Sequence, residues 1–547
     1  MKRYLLLLSI LTMVVFSGCG GQTGNLQAHY EKAHKLFFEE QDMDAAYSEL
    51  EYIQKTKPAF IAPHLNYMLS YIYEQRHRYD DAIKGYLKEL HVNPQKSKQD
   101  TDVYQWSLSG LADSYYKSGL LHRDLFELAL NSEVNYYSCK LYLAKDTQGT
   151  KSRDYLYYYR GLCYYYLSEF GKAVDDLKRV ENYSPAMVIL GACYYRQGMS
   201  PEAVKIWDRV KTTKDQRVLA LLGRIFVECG FVPDDGLKLC EKAYHDGPGE
   251  VTGICLASVL VDTGCVDKAL NLMDKIKPDS PEIIDEWGGY TDTETGIKIA
   301  YTTKFYDPQY LMIQAKAYFL KAVEYYLRIK DEQSLCQAGI CQLEAGDRKK
   351  AFSSLSKASE SKEEGVRTKA LINIGVLACL NGNYEEAFKI WENILNASSN
   401  PLMKSDVGLA YVEAGIKLDK AISLCKLAGA EEPGALSQNL GLAYLKKGML
   451  DDDAGLLGYA ISYLEKNHIQ ESGYSLERND PIVLLSLAKA HYYRRVFKLP
   501  AEIMLAFRDI YPESNQVFNA FQSVEEAWQI IKWEKETKWG HEWYLFR

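Results

Sequence analysis

The sequence predicts an all-α fold, a superhelical stack of helical hairpins, and three observations carry that prediction. First, alanines recur with apolar side chains four and seven residues further on. Ala46 has Leu50 and Ile53, Ala173 has Leu177 and Val180, Ala203 has Trp207 and Val210, Ala269 has Met273 and Ile276, and Ala387 has Trp391 and Ile394. These offsets share one helix face. Second, twelve residues before Ala46, Ala82, Ala173, Ala203, Ala269, Ala351, Ala387 and Ala421 stand His34, Ser70, Gly161, Gly191, Ala257, Gly339, Gly375 and Leu409. Six of those eight are Gly, Ala or Ser, which lets two successive helices approach closely. Third, Pro58, Pro94 and Pro185 each follow their alanine by twelve residues, where a second helix should stop.

The spacing is 36 residues from Ala46 to Ala82, 30 from Ala173 to Ala203 and 34 from Ala387 to Ala421. With the bulky side chains three residues after the small one (Phe37, Tyr73, Tyr164, Tyr194, Leu260), this resembles the tetratricopeptide repeat, a helix–turn–helix unit of about 34 residues. Weaker copies stand at Ala112/Tyr115, Gly223/Phe226, Gly441/Tyr444 and Ala488/Tyr492. Glu89 departs from the pattern, because it occupies an apolar place on its second helix. One hairpin cannot bury its apolar face alone, so roughly 10–13 stacked hairpins are expected to form a continuous core and a concave groove.

Read from the N-terminus, "MKRYLLLLSILTMVVFSGCGG" has a basic start and an apolar run from Leu5 to Phe16, too short to span a membrane. Ser17-Gly18-Cys19 then resembles the bacterial lipoprotein signal. The resemblance implies a leader over residues 1–18, a lipid on Cys19, and a flexible tether over 19–27. An N-terminal repeat array follows over 28–278, with residues 131–152 lengthening one hairpin. Residues 279–305 break the pattern. Gly288-Gly289, "YTD" and "IKIAY" suggest a small β-hairpin. The "DTETG" within it lacks the twelve-residue loop and final bidentate acid of a calcium site. A second array covers 306–512. Residues 513–547 supply a capping helix, with Ser514 as N-cap and Phe521, Val524, Trp528 and Ile531 on one face, then an aromatic tail.

Composition narrows the function. The 547 residues are 47% hydrophobic and 25% charged, with a formal net charge of −8 and no basic stripe, which argues against nucleic-acid binding. There is no GxSxG, no P-loop and no zincin helix, so neither an enzyme nor a cofactor is expected. Among the 12 cysteines no CxxC occurs. Cys163, Cys193 and Cys341 each lie two residues after the small glycine of their repeat, and Cys240 and Cys425 hold the large apolar place on second helices. That periodicity reads as buried free thiols rather than as metal ligands or disulfides.

In the tetratricopeptide family, first-helix positions three before the small residue, and one and four after it, line the groove. The matching places here are Tyr67, Tyr71 and Glu74; Ser109, Asp113 and Tyr116; Tyr158, Leu162 and Tyr165; and Val188, Ala192 and Tyr195. Trp106 lies about a turn before Ser109. Tyrosines offer apolar area plus a hydroxyl, suited to an extended peptide and also to a sugar. The leading expectation is a membrane-tethered scaffold for a protein or peptide, similar to the repeat lipoproteins of bacterial envelopes and placed outside the cytoplasm. The rival is a surface lipoprotein that binds a glycan or other solute.

Overall fold

The computed structural model describes residues 23–92, 101–143, 150–276, 290–291, 298–299, 309–398, 400–431, 437–468, 479–494, 496, 498–508 and 511. Cys19 and the expected capping helix and tail at 513–547 lie outside these residues. The chain divides into two compact units, Met1–Ser114 and Tyr115–Arg547, and not at the insertion near residue 280.

The first unit holds two antiparallel hairpins. Helix Thr23–Lys35, prolonged by a π-helical turn Leu36–Glu40, pairs with Met43–Thr56, and Leu65–Gln75 pairs with Tyr79–Val92. Helix Thr101–Leu143 begins here and passes the division between the units. In the second unit four hairpins follow: Thr150–Tyr166 with Phe170–Leu177, Ser184–Arg196 with Ser200–Val210, Gln216–Glu228 with Pro233–Asp246, and Glu250–Asp262 with Val266–Ile276. After helix Gln309–Ile329 come five more: Glu332–Glu344 with Arg348–Ala358, Glu364–Leu380 with Tyr384–Ala397, Pro401–Glu413 with Leu418–Glu431, Ser437–Asp451 with Ala454–His468, and Pro481–Tyr493 with Lys498–Arg508. Eleven hairpins among the described residues fall within the expected number. In the insertion, Tyr290–Thr291 pairs antiparallel with Lys298–Ile299.

The repeated alanines explain the hairpins. All eight are completely buried, and so is the side chain four residues on in most copies: Leu50, Leu177, Trp207, Leu355, Trp391. That side chain lies on the small residue sixteen positions earlier. A Cβ on Gly161 would sit 2.9 Å from the Leu177 Cγ, and one on Gly191 or Gly375 would fall inside the indole of Trp207 or Trp391. With no Cβ in the way, each indole reaches the backbone of the first helix. Trp207 Nε1 donates to the Val188 carbonyl at 3.0 Å, and Trp391 Nε1 to that of Ile372 at 3.1 Å. Both carbonyls stand three residues before the glycine. Cys240 uses the same place, its thiol donating to the Ala220 carbonyl at 3.2 Å. A buried indole N–H left unpaired would be costly, so glycine and tryptophan belong together.

A second regularity closes each hairpin. Seven residues after the small residue the backbone turns left-handed: Gly198, Gly230, Gly264, Gly346, Gly382 and Gly415 all have positive φ. The next N–H then bonds back into the first helix, as from Met199 to the Tyr194 carbonyl at 2.9 Å. This is a Schellman-type stop, and glycine suits it because a Cβ is penalised at positive φ. Three hairpins place Gln41, His77 and Ser168 there instead, at φ 57°, 57° and 60°.

Two expectations are corrected. The tether expected over 19–27 overlaps the first helix, to which Thr23–Gln27 belong. The copy at Ala112/Tyr115 forms no hairpin, and residues 131–143 do not lengthen one: a single helix of 43 residues runs from Thr101 to Leu143. Gly119 stands seven residues after Ala112, where the turn should come. It stays helical, and Phe319 packs onto it, its ring 2.8 Å from where a Cβ would be.

Two predictions follow from the seam and the turn. Gly375→Ala drives a methyl into the Trp391 ring and destabilises the array. Adding Trp391→Met reproduces the Ala257/Met273 pair the chain already uses. The double variant should therefore unfold in urea with a favourable coupling of about 1–3 kcal/mol relative to the sum of the single variants. Ser168→Gly relieves a strained turn and should raise stability by about 1 kcal/mol in the same titration.

Candidate functional site

In the first unit, helices Leu65–Gln75 and Thr101–Leu143 bring three of the expected residues together. Tyr67 and Tyr71, one turn apart on the first of these, have ring centroids 6.3 Å apart, and Trp106 lies 5.9 Å from Tyr67. Phe37 joins them edge-on, 5.5 Å from Tyr71 and 6.1 Å from Tyr67. Four aromatic rings from three successive first helices thus form one cluster, a triangle of Phe37, Tyr67 and Tyr71 with Trp106 against Tyr67. Trp106 is 39% exposed and Tyr71 is half-buried, whereas Phe37 and Tyr67 are buried. Burial, with smaller contributions from Tyr71 and Glu74, pushes the Tyr67 hydroxyl up to about 12. Glu74, also buried, accepts a hydrogen bond from Tyr86 at 3.1 Å. Phe37, a seam residue by its register, lies in the π-helical turn and is buried as that register expects.

The other four expected residues sit in the second unit and do not form one surface. Tyr158 is buried, in edge-on contact with Tyr159 at 4.9 Å and with Tyr183 of the next hairpin at 5.0 Å. Tyr165 is buried too, and its hydroxyl donates to Glu228 Oε1 at 2.6 Å. Arg196 and Arg224 flank that carboxylate at 3.8 Å and 3.7 Å. Burial first, then the Glu228 charge, hold the Tyr165 hydroxyl well above the usual tyrosine range. Tyr195 is half-buried against Trp207 and Phe231, at 5.9 Å and 5.7 Å. Tyr116 packs 6.1 Å from Phe319. The open groove position expected of Tyr158 and Tyr165 is therefore replaced by contacts between hairpins. Three tyrosines of neighbouring repeats cover one another before a ligand could.

The long helix also takes up positions that the repeat would leave open. Within the second unit, Arg123 Nη1 donates to Glu344 Oε2 at 2.6 Å and Lys489 Nζ to Glu127 Oε2 at 3.2 Å. The Asn135 amide donates to the Tyr492 hydroxyl, which itself donates to the Asn131 carbonyl at 3.3 Å. Tyr115 stacks on Tyr325 at 5.8 Å. Lys489 stands one residue after Ala488, a place a groove ligand would meet, and in that hairpin the chain meets it itself; Tyr492 is buried, as the bulky residue of that copy.

The described cysteines are ten free thiols, eight of them buried. Burial pushes the Cys193 thiol up to about 12 and the Cys336 thiol up to about 11. Among the described residues no group of His, Cys, Asp and Glu is placed to hold a metal ion, and no helix is long and apolar enough to cross a membrane.

Neither a protein-family model nor a curated protein matches this chain. Three solved structures are similar to it in part. A crystal structure of the APC/C hetero-tetramer Cut9-Hcn1 is 14% identical, with 91% of this chain and 96% of that one covered and a TM-score of 0.26. Yeast Tom70 is 13% identical, with 94% and 98% covered and a TM-score of 0.28. A tetratricopeptide repeat protein from Parabacteroides merdae is 12% identical, with 64% and 100% covered and a TM-score of 0.19. Scores this low carry nothing about function. The repeat assignment rests on the hairpin register within this chain.

The thiols give a direct check on the packing. Among the described cysteines only Cys229 and Cys265 are partly exposed, and burial followed by the Glu228 charge raises the Cys229 thiol to about 11. A raised pKa lowers the thiolate fraction that reacts. Among the described cysteines, Cys265 should be alkylated first by iodoacetamide at neutral pH. The eight buried ones should stay unmodified until denaturant is added, read by peptide mass spectrometry.

Proposed function

We propose that this chain is a non-catalytic scaffold, tethered to the outer face of a bacterial membrane by a lipid on Cys19, which binds an extended segment of a partner protein on the aromatic cluster of its first unit. The observation that carries the reading is the aromatic cluster itself. Phe37, Tyr67, Tyr71 and Trp106 meet across three successive first helices, and on the support of the buried Phe37 and Tyr67, Tyr71 is half-buried and Trp106 is left 39% exposed. Packed rings offer apolar area at low cost in side-chain entropy, and Tyr and Trp are enriched among the anchors of protein interfaces. The tether reading is supported by the basic start, the short apolar run and Ser17-Gly18-Cys19. Aromatic shelves also stack on sugar rings, which makes the glycan reading a defined competitor.

A photo-crosslinking amino acid placed at position 71 or 106 in the native envelope should give adducts to the same stretch of one partner protein. The same probe at Phe352, an exposed second-helix residue, should give none. Trp106→Ala should weaken that partner about 30-fold, the loss expected for an aromatic anchor of about 2 kcal/mol. Adducts of equal yield at 352 would overturn the site. Saturable glycan binding abolished by Trp106→Ala, with no protein adduct, would replace the peptide with a sugar.

A further inference from the structure

Within the second unit the long helix meets the first helices with charged side chains, and one carboxylate there is left over. Arg123 is held by Glu344 at 2.6 Å and by Asp124 at 3.1 Å. Lys489 is held by Glu127 at 3.2 Å and lies 3.9 Å from Asp124, and Lys446 adds its charge to Glu127. Among the described residues no basic side chain pairs with Glu413, the last residue of helix Pro401–Glu413. Two charges act on it, and the repulsion from Glu344 exceeds the attraction to Arg123. Burial first, then that repulsion, push the Glu413 carboxyl up to about 7. The side chain is nonetheless exposed. A carboxylate crowded by protein and still open to solvent is what the floor of a concave surface gives.

Register sets Glu413 among its neighbours. Glu344, Leu380 and Glu413 each stand five residues after the small glycine of their repeat, Gly339, Gly375 and Gly408. Helices Glu332–Glu344, Glu364–Leu380 and Pro401–Glu413 pack in that order, so these three positions follow one another along one edge of the first-helix layer. Leu380 is 44% exposed. Tyr116 of the long helix packs on Cys336, Ile340 and Val366 of the first two of these helices, and Glu344 and Glu413 both act on its hydroxyl.

The geometry points to a basic side chain of a partner polypeptide as the ligand of Glu413: a lysine or arginine enters the concave face of the second unit and pairs with this carboxylate, while an apolar neighbour in the partner covers Leu380. The argument is independent of the aromatic cluster and of the lipid tether. A cation at this place offsets the repulsion between Glu344 and Glu413, which an anion or an apolar group cannot do. An ionic hydrogen bond shielded by surrounding protein is also stronger than one at an open surface. The exposed Leu380 one helix away favours a polypeptide over a small free cation, because a chain can place an apolar side chain beside the basic one. Glu413 has to be ionised to pair, so binding is full above pH 7 and is lost as pH falls below it.

The test places a photo-crosslinking amino acid at position 380 of the full-length chain in its native cells, permeabilised to set the pH, with adducts mapped by peptide mass spectrometry. The expected adducts fall on one stretch of one partner protein, within two residues of a Lys or Arg. Their yield should fall several-fold in Glu413→Gln, and several-fold between pH 8 and pH 6 in the chain that keeps Glu413 but not in Glu413→Gln. That substitution removes the repulsion from Glu344, so an unfolding midpoint in urea no lower than that of the parent chain shows that the fold is kept. No adduct, adducts only within this chain, adducts to a stretch without a basic residue, or a yield that Glu413→Gln leaves unchanged would each overturn the inference. None of these outcomes bears on the crosslinks from positions 71 and 106.

Discussion

Every hairpin depends on one contact. A large side chain on the second helix lies against a small residue on the first, sixteen positions earlier in most copies. Where the pair is glycine and tryptophan the backbones can close until the indole N–H reaches a carbonyl of the facing helix, as in Trp207 and Trp391. An indole buried this way removes about 150–250 Å² from water, worth roughly 4–6 kcal/mol as an upper bound. The eight buried alanines then keep the second helices near enough for the next hairpin to stack. Without the small residue the seam opens, and a lone hairpin cannot bury its apolar face.

The turn is the second constraint, and the exception to it reshapes the molecule. Nine hairpins have a left-handed residue seven places after the small one, which breaks the first helix and reverses the chain. Gly119 occupies the same register after Ala112 but remains helical. Nothing local forbids a turn there. Phe319 uses the missing Cβ for a close approach, and the helix runs on to Leu143. Its second half brings Arg123, Glu127 and Asn135 to Glu344, Lys489 and Tyr492. Residues that the repeat would present to a ligand are thus met from within the chain. The aromatic cluster of the first unit keeps Trp106 exposed.

The aromatic residues show how one residue type serves two ends. The 43 tyrosines are not a uniform sticky surface. Tyr158 and Tyr165 fasten one hairpin to the next, through Tyr183 and Glu228. Tyr67 and Tyr71 instead support a cluster whose exposed member is Trp106.

The sequence alone determined the register of the clear hairpins and bounded their number, because a buried alanine and a small residue twelve places earlier are local requirements of helix contact. It also marked the small strand pair of the insertion, through its glycines and alternating residues. Which tyrosines stay open was decided only by the tertiary structure. Periodicity names the helix face a residue occupies, but not which neighbour arrives to cover it. Tyr158 and Tyr67 hold the same register and both are buried, but one is covered by Tyr183 and the other by Trp106, which is itself left 39% exposed. The long helix was illegible for the same reason. Gly119 is compatible with a turn and with a close helix contact, and the residue that meets it, Phe319, stands 200 positions away in sequence.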